Sequence, residues 1–311
     1  MHKIEYLRVI LTEKCNLKCF FCHKEGIDKY KESSIKYDEL KQCLQLLCDS
    51  GIRKIKFMGG EPTLYPELQK IIAWLREDKK NLDLSIISNG IVEQKIFEEY
   101  IASGIDRINI SMHGFDEKVF SSVTRGSVNQ LLQSLDNIKY LKSCGKLGKV
   151  NYVLLKGINE DEFYKVLEFI NKEGIVLDVL NYLGTKEDEI EKYRYSFEEI
   201  VSLINKKYRI SHSIKYTNPY SLDSQRLILQ EGGTINLKVN PLSEADFFKA
   251  CRTCSQKKLC IEGISAIRLT SDGIIKPCLF RDDLTYDLLS SLKTKTMDKV
   301  LENVQEYFDK L

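Results

Sequence analysis

The sequence predicts an α/β fold: a partial, open (β/α)6 TIM barrel over residues 1–207, followed by a small C-terminal domain over residues 208–311. Three observations carry this. Six short β-branched runs alternate with six helical patterns through the first two thirds of the chain. Glycines follow three of those helical patterns, at Gly51, Gly104 and Gly174, where left-handed caps are common. Beyond about residue 208 the rhythm gives way to hairpin signals.

The strands are predicted at 6–11, 54–57, 83–87, 107–111, 149–154 and 177–182. The helices are predicted at 37–49, 66–77, 93–102, 128–143, 161–172 and 196–206, each with apolar residues three or four apart. Pro66 suits a first helical turn. Strand–helix repetition implies a parallel sheet with right-handed crossovers, and six units are too few for a complete eightfold barrel. Later, 227–240 reads as a hairpin around Gly232-Gly233, and 266–280 as a second around Asp272-Gly273. A last amphipathic helix is predicted at 296–311.

The composition is that of a globular protein, 43% hydrophobic and 30% charged over 311 residues. A net charge of +2 suggests neither nucleic acid nor an anionic membrane as partner. No apolar run approaches the roughly 20 residues of a membrane span. "MHKIEYLRVIL" enters a strand at once and lacks the sections of a signal peptide. The expectation is a cytoplasmic protein, whose ten cysteines are not read as disulfides. Cys43, Cys48 and Cys144 sit in or near helical patterns and read as small buried hydrophobes.

The other seven fall into two sets. Cys15, Cys19 and Cys22 lie in "KCNLKCFFCHK", directly after the first strand, where barrel chemistry sits. Three thiolates in one loop can hold an iron–sulfur cluster and leave one iron open to a ligand. A structural zinc site completed by His23 is the bland alternative, with a strained bite from adjacent donors. Polar loops follow the next strands: Gly59-Gly60-Glu61-Pro62 after the second, Ser88-Asn89-Gly90 after the third and Ser111-Met112-His113-Gly114 after the fourth. The two glycines are expected to let backbone approach a ligand closely, and Glu61 to fix an ammonium group. Each loop alone is a turn or cap; together they converge on one barrel mouth.

Cys15-x3-Cys19-x2-Cys22 with Gly59-Gly60-Glu61-Pro62 resembles the radical S-adenosylmethionine (SAM) superfamily. The resemblance implies that the cluster's open iron binds the amino and carboxylate groups of SAM. Reductive cleavage then gives methionine and a 5′-deoxyadenosyl radical that takes hydrogen from a substrate. It assigns Gly59, Gly60, Glu61, Ser88, Asn89, Ser111 and Leu183 to SAM, with Phe21 beside the adenine. It also implies a small-molecule substrate and a reducing donor such as flavodoxin or ferredoxin.

Cys251, Cys254, Cys260 and Cys278 form the second set, and their spacing alone leaves zinc and a second iron–sulfur cluster open. "EYLRVILTEKCNLKCFFCHKEG", "KVNYVLLKGINEDE" and "IRLTSDGIIKPCLF" are similar, in order, to the GTP 3′,8-cyclases of molybdenum-cofactor biosynthesis. That resemblance implies an auxiliary [4Fe–4S] cluster, hence two clusters in all. It implies substrate contacts from Arg8, Lys56, Lys149 and Arg268, while no catalytic residue is assigned. The chain departs from the family pattern in several places. About ten residues carrying Cys260 are inserted before Cys278. Ala266-Ile267-Arg268 stands where an R-x-R pair is usual. Ile87 replaces a threonine, Asp178 and Asn181 replace an arginine and a glutamate, and the Gly-Gly tail has no counterpart in "YFDKL". Asp178 would repel a triphosphate, and Cys260 could close the second cluster. Two other readings follow: modification of a ribosomal peptide or secondary-metabolite precursor, and a zinc-stabilised binding protein.

Overall fold

The computed structural model describes residues 4–24, 35–79, 81–184, 186–218, 221–238, 248–258, 260–262, 264 and 266–311. The barrel half runs β1 (Tyr6–Ile10), α1 (Tyr37–Asp49), β2 (Lys54–Met58), α2 (Leu68–Asp78), β3 (Asp83–Ser88), α3 (Gln94–Ala102), β4 (Arg107–Ser111), α4 (Glu117–Thr124), α5 (Val128–Ser143), β5 (Leu147–Leu154), α6 (Glu160–Glu173), β6 (Val176–Asn181), α7 (Glu187–Tyr193) and α8 (Phe197–Asn205). The remainder is β7 (Ile210–Asn218), β8 (Ser221–Leu229), β9 (Thr234–Lys238), β10 (Ile267–Leu269), β11 (Ile274–Lys276), β12 (Tyr286–Asp287), α9 (Leu288–Thr294) and α10 (Met297–Lys310).

The twelve strands among the described residues belong to one sheet, ordered β12-β11-β10-β1-β2-β3-β4-β5-β6-β9-β8-β7. Strands β1 to β6 are parallel neighbours in sequence order, the partial barrel that the alternating pattern predicts. The chain beyond residue 208 extends both edges: β10 adds parallel to β1, and β9 adds parallel to β6. The parallel run is thus eight strands wide, with antiparallel β11 and β12 beyond one edge and β8 and β7 beyond the other.

Alternation along the strands separates two faces. Leu7, Val9, Ile55, Phe57, Leu84, Ile86, Ile108, Ile110, Val150 and Tyr152 are fully or almost fully buried in the main apolar core. Helices such as α1 complete that core with Leu40, Cys43, Leu44 and Leu47. The residues between these face the other way, and there the sequence is polar: Arg8, Lys56, Ser85, Asn109, Asn151, Asp178. Helices α5 and α8 start at Ser127 and Ser196, whose hydroxyls accept the backbone N–H of Gln130 and Glu199.

Several local expectations change. Helix α2 begins at Leu68, and Pro66 lies in the turn before it, because a 3₁₀ turn at Pro62–Leu64 takes up the chain first. Cys144 is exposed at the α5 C-cap, whereas Cys43 and Cys48 are buried. Residues 239 and 240 of the first hairpin lie outside the described residues. Helices α4, α7 and α9 and strands β7 and β12 are additional. Helix α7 buries only Ile190, and β7 is an edge strand exposed at 211–216, so neither prints a strong apolar period. Among the described residues no helix is long and apolar enough to cross a membrane.

Candidate active site

The loop after β1 carries Cys15, Cys19 and Cys22, with Cys15 and Cys22 exposed and Cys19 half-buried. Cys15 lies in the electrostatic field of Cys22, and Cys19 in those of Cys22 and Cys15. Burial pushes the Cys19 thiol up to about 12, and its two neighbours add to that. The loop's shape is fixed from two sides. Lys18 and Phe20 donate backbone hydrogen bonds to Thr124 and Val123 at the end of α4, 2.9 and 3.1 Å long. On the other side, Gly60 and Glu61 donate to the carbonyls of Thr12 and Lys14, 2.7 and 2.8 Å long.

The two glycines serve the protein's own backbone. A Cβ on Gly59 would stand 2.4 Å from the Thr12 carbonyl oxygen, and one on Gly60 would stand 2.2 Å from that of Lys14. Only glycine lets the loop after β2 lie this close to the chain entering the cysteine loop. Glu61 is buried and hydrogen-bonded through both oxygens. Its carboxylate accepts the Ser88 hydroxyl at 2.8 Å, the Asn89 N–H at 2.8 Å, and the Thr63 hydroxyl and N–H at 2.9 and 3.2 Å. The sequence expected Glu61 and Ser88 to face SAM; in the fold each is engaged in bracing the loops after β2 and β3. Ser88 in turn accepts the Gly90 N–H at 3.0 Å.

Asn89 carries that brace to the cysteines. Its Nδ2 donates to Asn16 Oδ1 at 2.6 Å and lies 3.9 Å from Cys15 Sγ. Ser111 ends β4, half-buried, and pairs with Asn151 of β5. His113 is buried beyond it; its Nδ1 accepts the Val153 N–H at 3.1 Å, which leaves the proton on Nε2. Burial lowers His113 to about 3, so the ring is neutral at ordinary pH. Phe21 meets it edge-on with centroids 4.7 Å apart. Phe21 also packs against a small apolar cluster of Val123, Val153 and Leu155, alongside Leu180 and Tyr182. Leu183 lies half-buried just past β6.

Deeper in the barrel the four predicted cations occupy one region. Register aligns Arg8 with Lys56 on one side and Arg268 on the other. Lys149 lies in the field of Lys56, and it is already ion-paired with Asp178 of β6. Burial lowers Lys56, and the charges of Lys149 and Arg8 add to this. Two groups here escaped sequence reasoning. Tyr6 is buried with Arg8, Lys54 and Lys56 at 5.6, 5.1 and 5.5 Å from its ring centre. Burial alone would raise its pKa, but Lys56 and Arg8 outweigh it and bring it to about 7. Glu262 pairs with Lys238 and lies 3.6 Å from Arg8, and these cations hold it far below the usual carboxylate range despite its burial. Its only sequence signal was its place two residues after Cys260.

The family profile of the radical SAM superfamily matches residues 9–170, more than half of the chain and the whole span from the cysteine loop to α6. The chain belongs to the radical SAM superfamily. It is accordingly an enzyme that uses SAM and a [4Fe–4S] cluster, and the reading as a zinc-stabilised binding protein falls. Two curated proteins align with this radical SAM enzyme over nearly their whole length. One, from Methanococcus aeolicus, is named "Probable GTP 3′,8-cyclase"; it is 29% identical over 98% of this chain and 97% of its own. The other, from Nautilia profundicola, is named "GTP 3′,8-cyclase"; it is 27% identical over 98% of this chain and 89% of its own. Among solved structures, Streptococcus suis SuiB bound to S-adenosylmethionine superposes with a TM-score of 0.63 and 16% identity over 96% of this chain, which spans only 65% of SuiB. Native anSMEcpe with bound AdoMet gives a TM-score of 0.62 and 15% identity, covering 95% of this chain and 80% of that one. At such identities the structures establish the fold alone.

The first cysteine site of this radical SAM enzyme suits the cluster better than zinc. Thiolate donors spread around one exposed loop suit a cluster whose irons are themselves spread over a cube. The late cysteines converge as well. Cys251, Cys254, Cys260 and Cys278 line one cavity together with Ile264, Phe280 and Arg281. Burial pushes Cys251 up to about 11, and Cys278, Cys260 and Cys254 all contribute.

Proposed function

We propose that this enzyme uses two [4Fe–4S] clusters to abstract hydrogen from a small, nucleotide-like substrate and to cyclise or rearrange it, as a divergent relative of the GTP 3′,8-cyclases. The observation that carries this reading is the end-to-end alignment with proteins of that name, which takes in both cysteine sets and the barrel between them. In this reading residues 1–207 are the SAM barrel and residues 208–311 carry the auxiliary cluster. Cys15, Cys19 and Cys22 hold the first cluster. Gly59, Gly60, Glu61, Ser88 and Asn89 shape the loops around SAM, Ser111 and Leu183 border it, and Phe21 lies beside the adenine. Bound SAM, cleaved with an electron from a flavodoxin or ferredoxin, supplies the hydrogen-abstracting radical. Arg8, Lys56, Lys149 and Arg268 gather the anionic part of the substrate on the barrel's polar face. His113, neutral and fixed by Val153, keeps Phe21 in place.

Incubation of anaerobically reconstituted protein with SAM, dithionite and GTP tests the strict form: 5′-deoxyadenosine together with a 3′,8-cyclised purine is the expected result. Absence of the cyclised product removes GTP as substrate.

One observation favours a second reading. Cys260 shares the late cavity with the other three cysteines, so a cluster there can be closed by four thiolates with no iron left for a base. An enzyme that modifies a ribosomal peptide or secondary-metabolite precursor fits a closed auxiliary cluster. A short precursor reading frame beside the gene, whose product is altered by the enzyme, would establish it.

A further inference from the structure

Arg8, Lys54 and Lys149, on the polar face of the barrel, each have a carboxylate. Arg8 lies 3.6 Å from Glu262, Lys54 lies 3.5 Å from Asp83, and Lys149 is ion-paired with Asp178. Asp83 is held in turn by Arg107, through both oxygens, at 2.6 and 2.9 Å. Lys56 sits opposite Arg8 in the register of β1 and β2 and has no ion pair among the described residues. What Lys56 has is Tyr6, whose ring centre stands 5.5 Å from its ammonium. The ring is 3% exposed and is fixed between Arg8 and Lys54, which lie 5.6 and 5.1 Å from its centre. Burial opposes a proton on Lys56, and the charges of Lys149 and Arg8 oppose it too. Of the groups that act most strongly on Lys56, Tyr6 is the one that favours its charge. No hydrogen bond of ordinary geometry reaches the Tyr6 hydroxyl, so the ring is the contact that holds the ammonium. An aromatic face attracts an ammonium more strongly as water is excluded.

We propose that Tyr6 is a positioning residue, whose ring keeps Lys56 in place as a charged ammonium for the anionic part of the substrate. This rests on the barrel substrate site proposed above. A carboxylate beside Lys56 would also offset the loss of water, but it would neutralise the charge that a phosphoryl group needs. The ring of a neutral phenol offsets that loss and leaves the charge whole. An anion that reaches Lys56 therefore has no ion pair to break there. It replaces a ring contact with a stronger, charge-assisted hydrogen bond. An anion that reaches Arg8 or Lys149 has to share the cation with Glu262 or Asp178.

Titration calorimetry of the reconstituted protein with inorganic tripolyphosphate tests this with a probe that contains no base. At about pH 6 the phenol keeps its proton. Tyr6→Leu should weaken tripolyphosphate about tenfold, and Tyr6→Phe, which keeps the ring, by no more than about threefold. Tyr6→Met fills the same space with an unbranched chain and replaces Tyr6→Leu if that variant does not fold. Iron content equal to wild type shows that each variant is folded and loaded. In a Lys56→Gln background the loss of the ring should have no further effect, whereas a merely structural tyrosine would weaken binding there as well. Wild-type affinity in Tyr6→Leu, a loss in Tyr6→Phe as large as in Tyr6→Leu, or the same loss with and without Lys56 overturns the proposal and leaves the anion site standing. Wild-type affinity in Lys56→Gln instead removes the lysine from that site, and the proposal falls together with that part of the substrate reading. GTP turnover judges the nucleotide reading separately.

Discussion

The hydroxyl of Ser88 donates a 2.8 Å hydrogen bond to the buried carboxylate of Glu61, joining the loop after β3 to the loop after β2. Three further donors, from Asn89 and Thr63, fill the same carboxylate. Asn89 then reaches Asn16, between the first two cysteines. The chain Glu61–Ser88/Asn89–Asn16 is a polar brace that sets the cysteine loop before any cofactor is bound.

Glu61→Gln should therefore destabilise the protein even in the absence of SAM. An amide NH2 would face donors where the carboxylate accepts, leaving buried groups unsatisfied at a cost of about 1–3 kcal/mol. Denaturant unfolding of the SAM-free enzyme measures this. A stability equal to wild type would assign Glu61 to the ligand alone.

Gly60→Ala tests the contact between the second loop and the cysteine loop. The added methyl would meet the Lys14 carbonyl at 2.2 Å, and backbone cannot yield as a flexible side chain can. The expected result is a near-native circular dichroism spectrum with less iron bound and SAM cleavage reduced by about tenfold or more. Full iron content and activity would show that the loops can separate without loss.

Cys260 can be judged by iron content. Reconstituted wild type should hold roughly eight irons per chain, four in each cluster. If Cys260 is a ligand, Cys260→Ala should lower the occupancy of the second cluster or change its electron paramagnetic resonance spectrum, as Cys278→Ala should. Cys144→Ala, at an exposed cysteine remote from both sets in sequence, should do neither. A Cys260→Ala spectrum identical to wild type would leave an open iron on a three-cysteine cluster.

His113 predicts an acid limb in stability. Burial depresses its folded-state pKa from 6.5 to about 3, so the unfolded chain binds the proton more readily. The stability linked to the neutral ring is present above 6.5 and is lost as pH falls toward about 3. His113→Asn can keep an acceptor for the Val153 N–H and removes the titration. Its unfolding free energy should fall less steeply than that of wild type over that window; parallel curves would show that the ring is not buried in solution.

Much of the fold was legible because its signals are local. The boundaries of α1, β4 and α5 coincide with their apolar periods, since each element buries one regular face against the core. Helix α7 and edge strand β7 carry little buried apolar surface, so little of their sequence is constrained to display a period. Within the site, the cysteines, the GGEP loop and the SNG loop were visible as residue types just beyond strands. Their division of labour was not: Gly59 and Gly60 answer to Thr12 and Lys14, and Glu61 to Ser88, contacts between segments far apart in the chain.

The sequence by itself determined the superfamily and the parallel barrel, because cysteine spacing and strand–helix alternation are properties of short segments. Only the tertiary structure decided how the C-terminal third joins it, adding β9 to one edge of the barrel sheet and β10 to the other. That closure brings Glu262 against Arg8 and Asp178 against both Lys149 and Asn236. Strand register sets which charges meet across a barrel, and register is fixed by the packing of the whole sheet rather than by any one strand's residues.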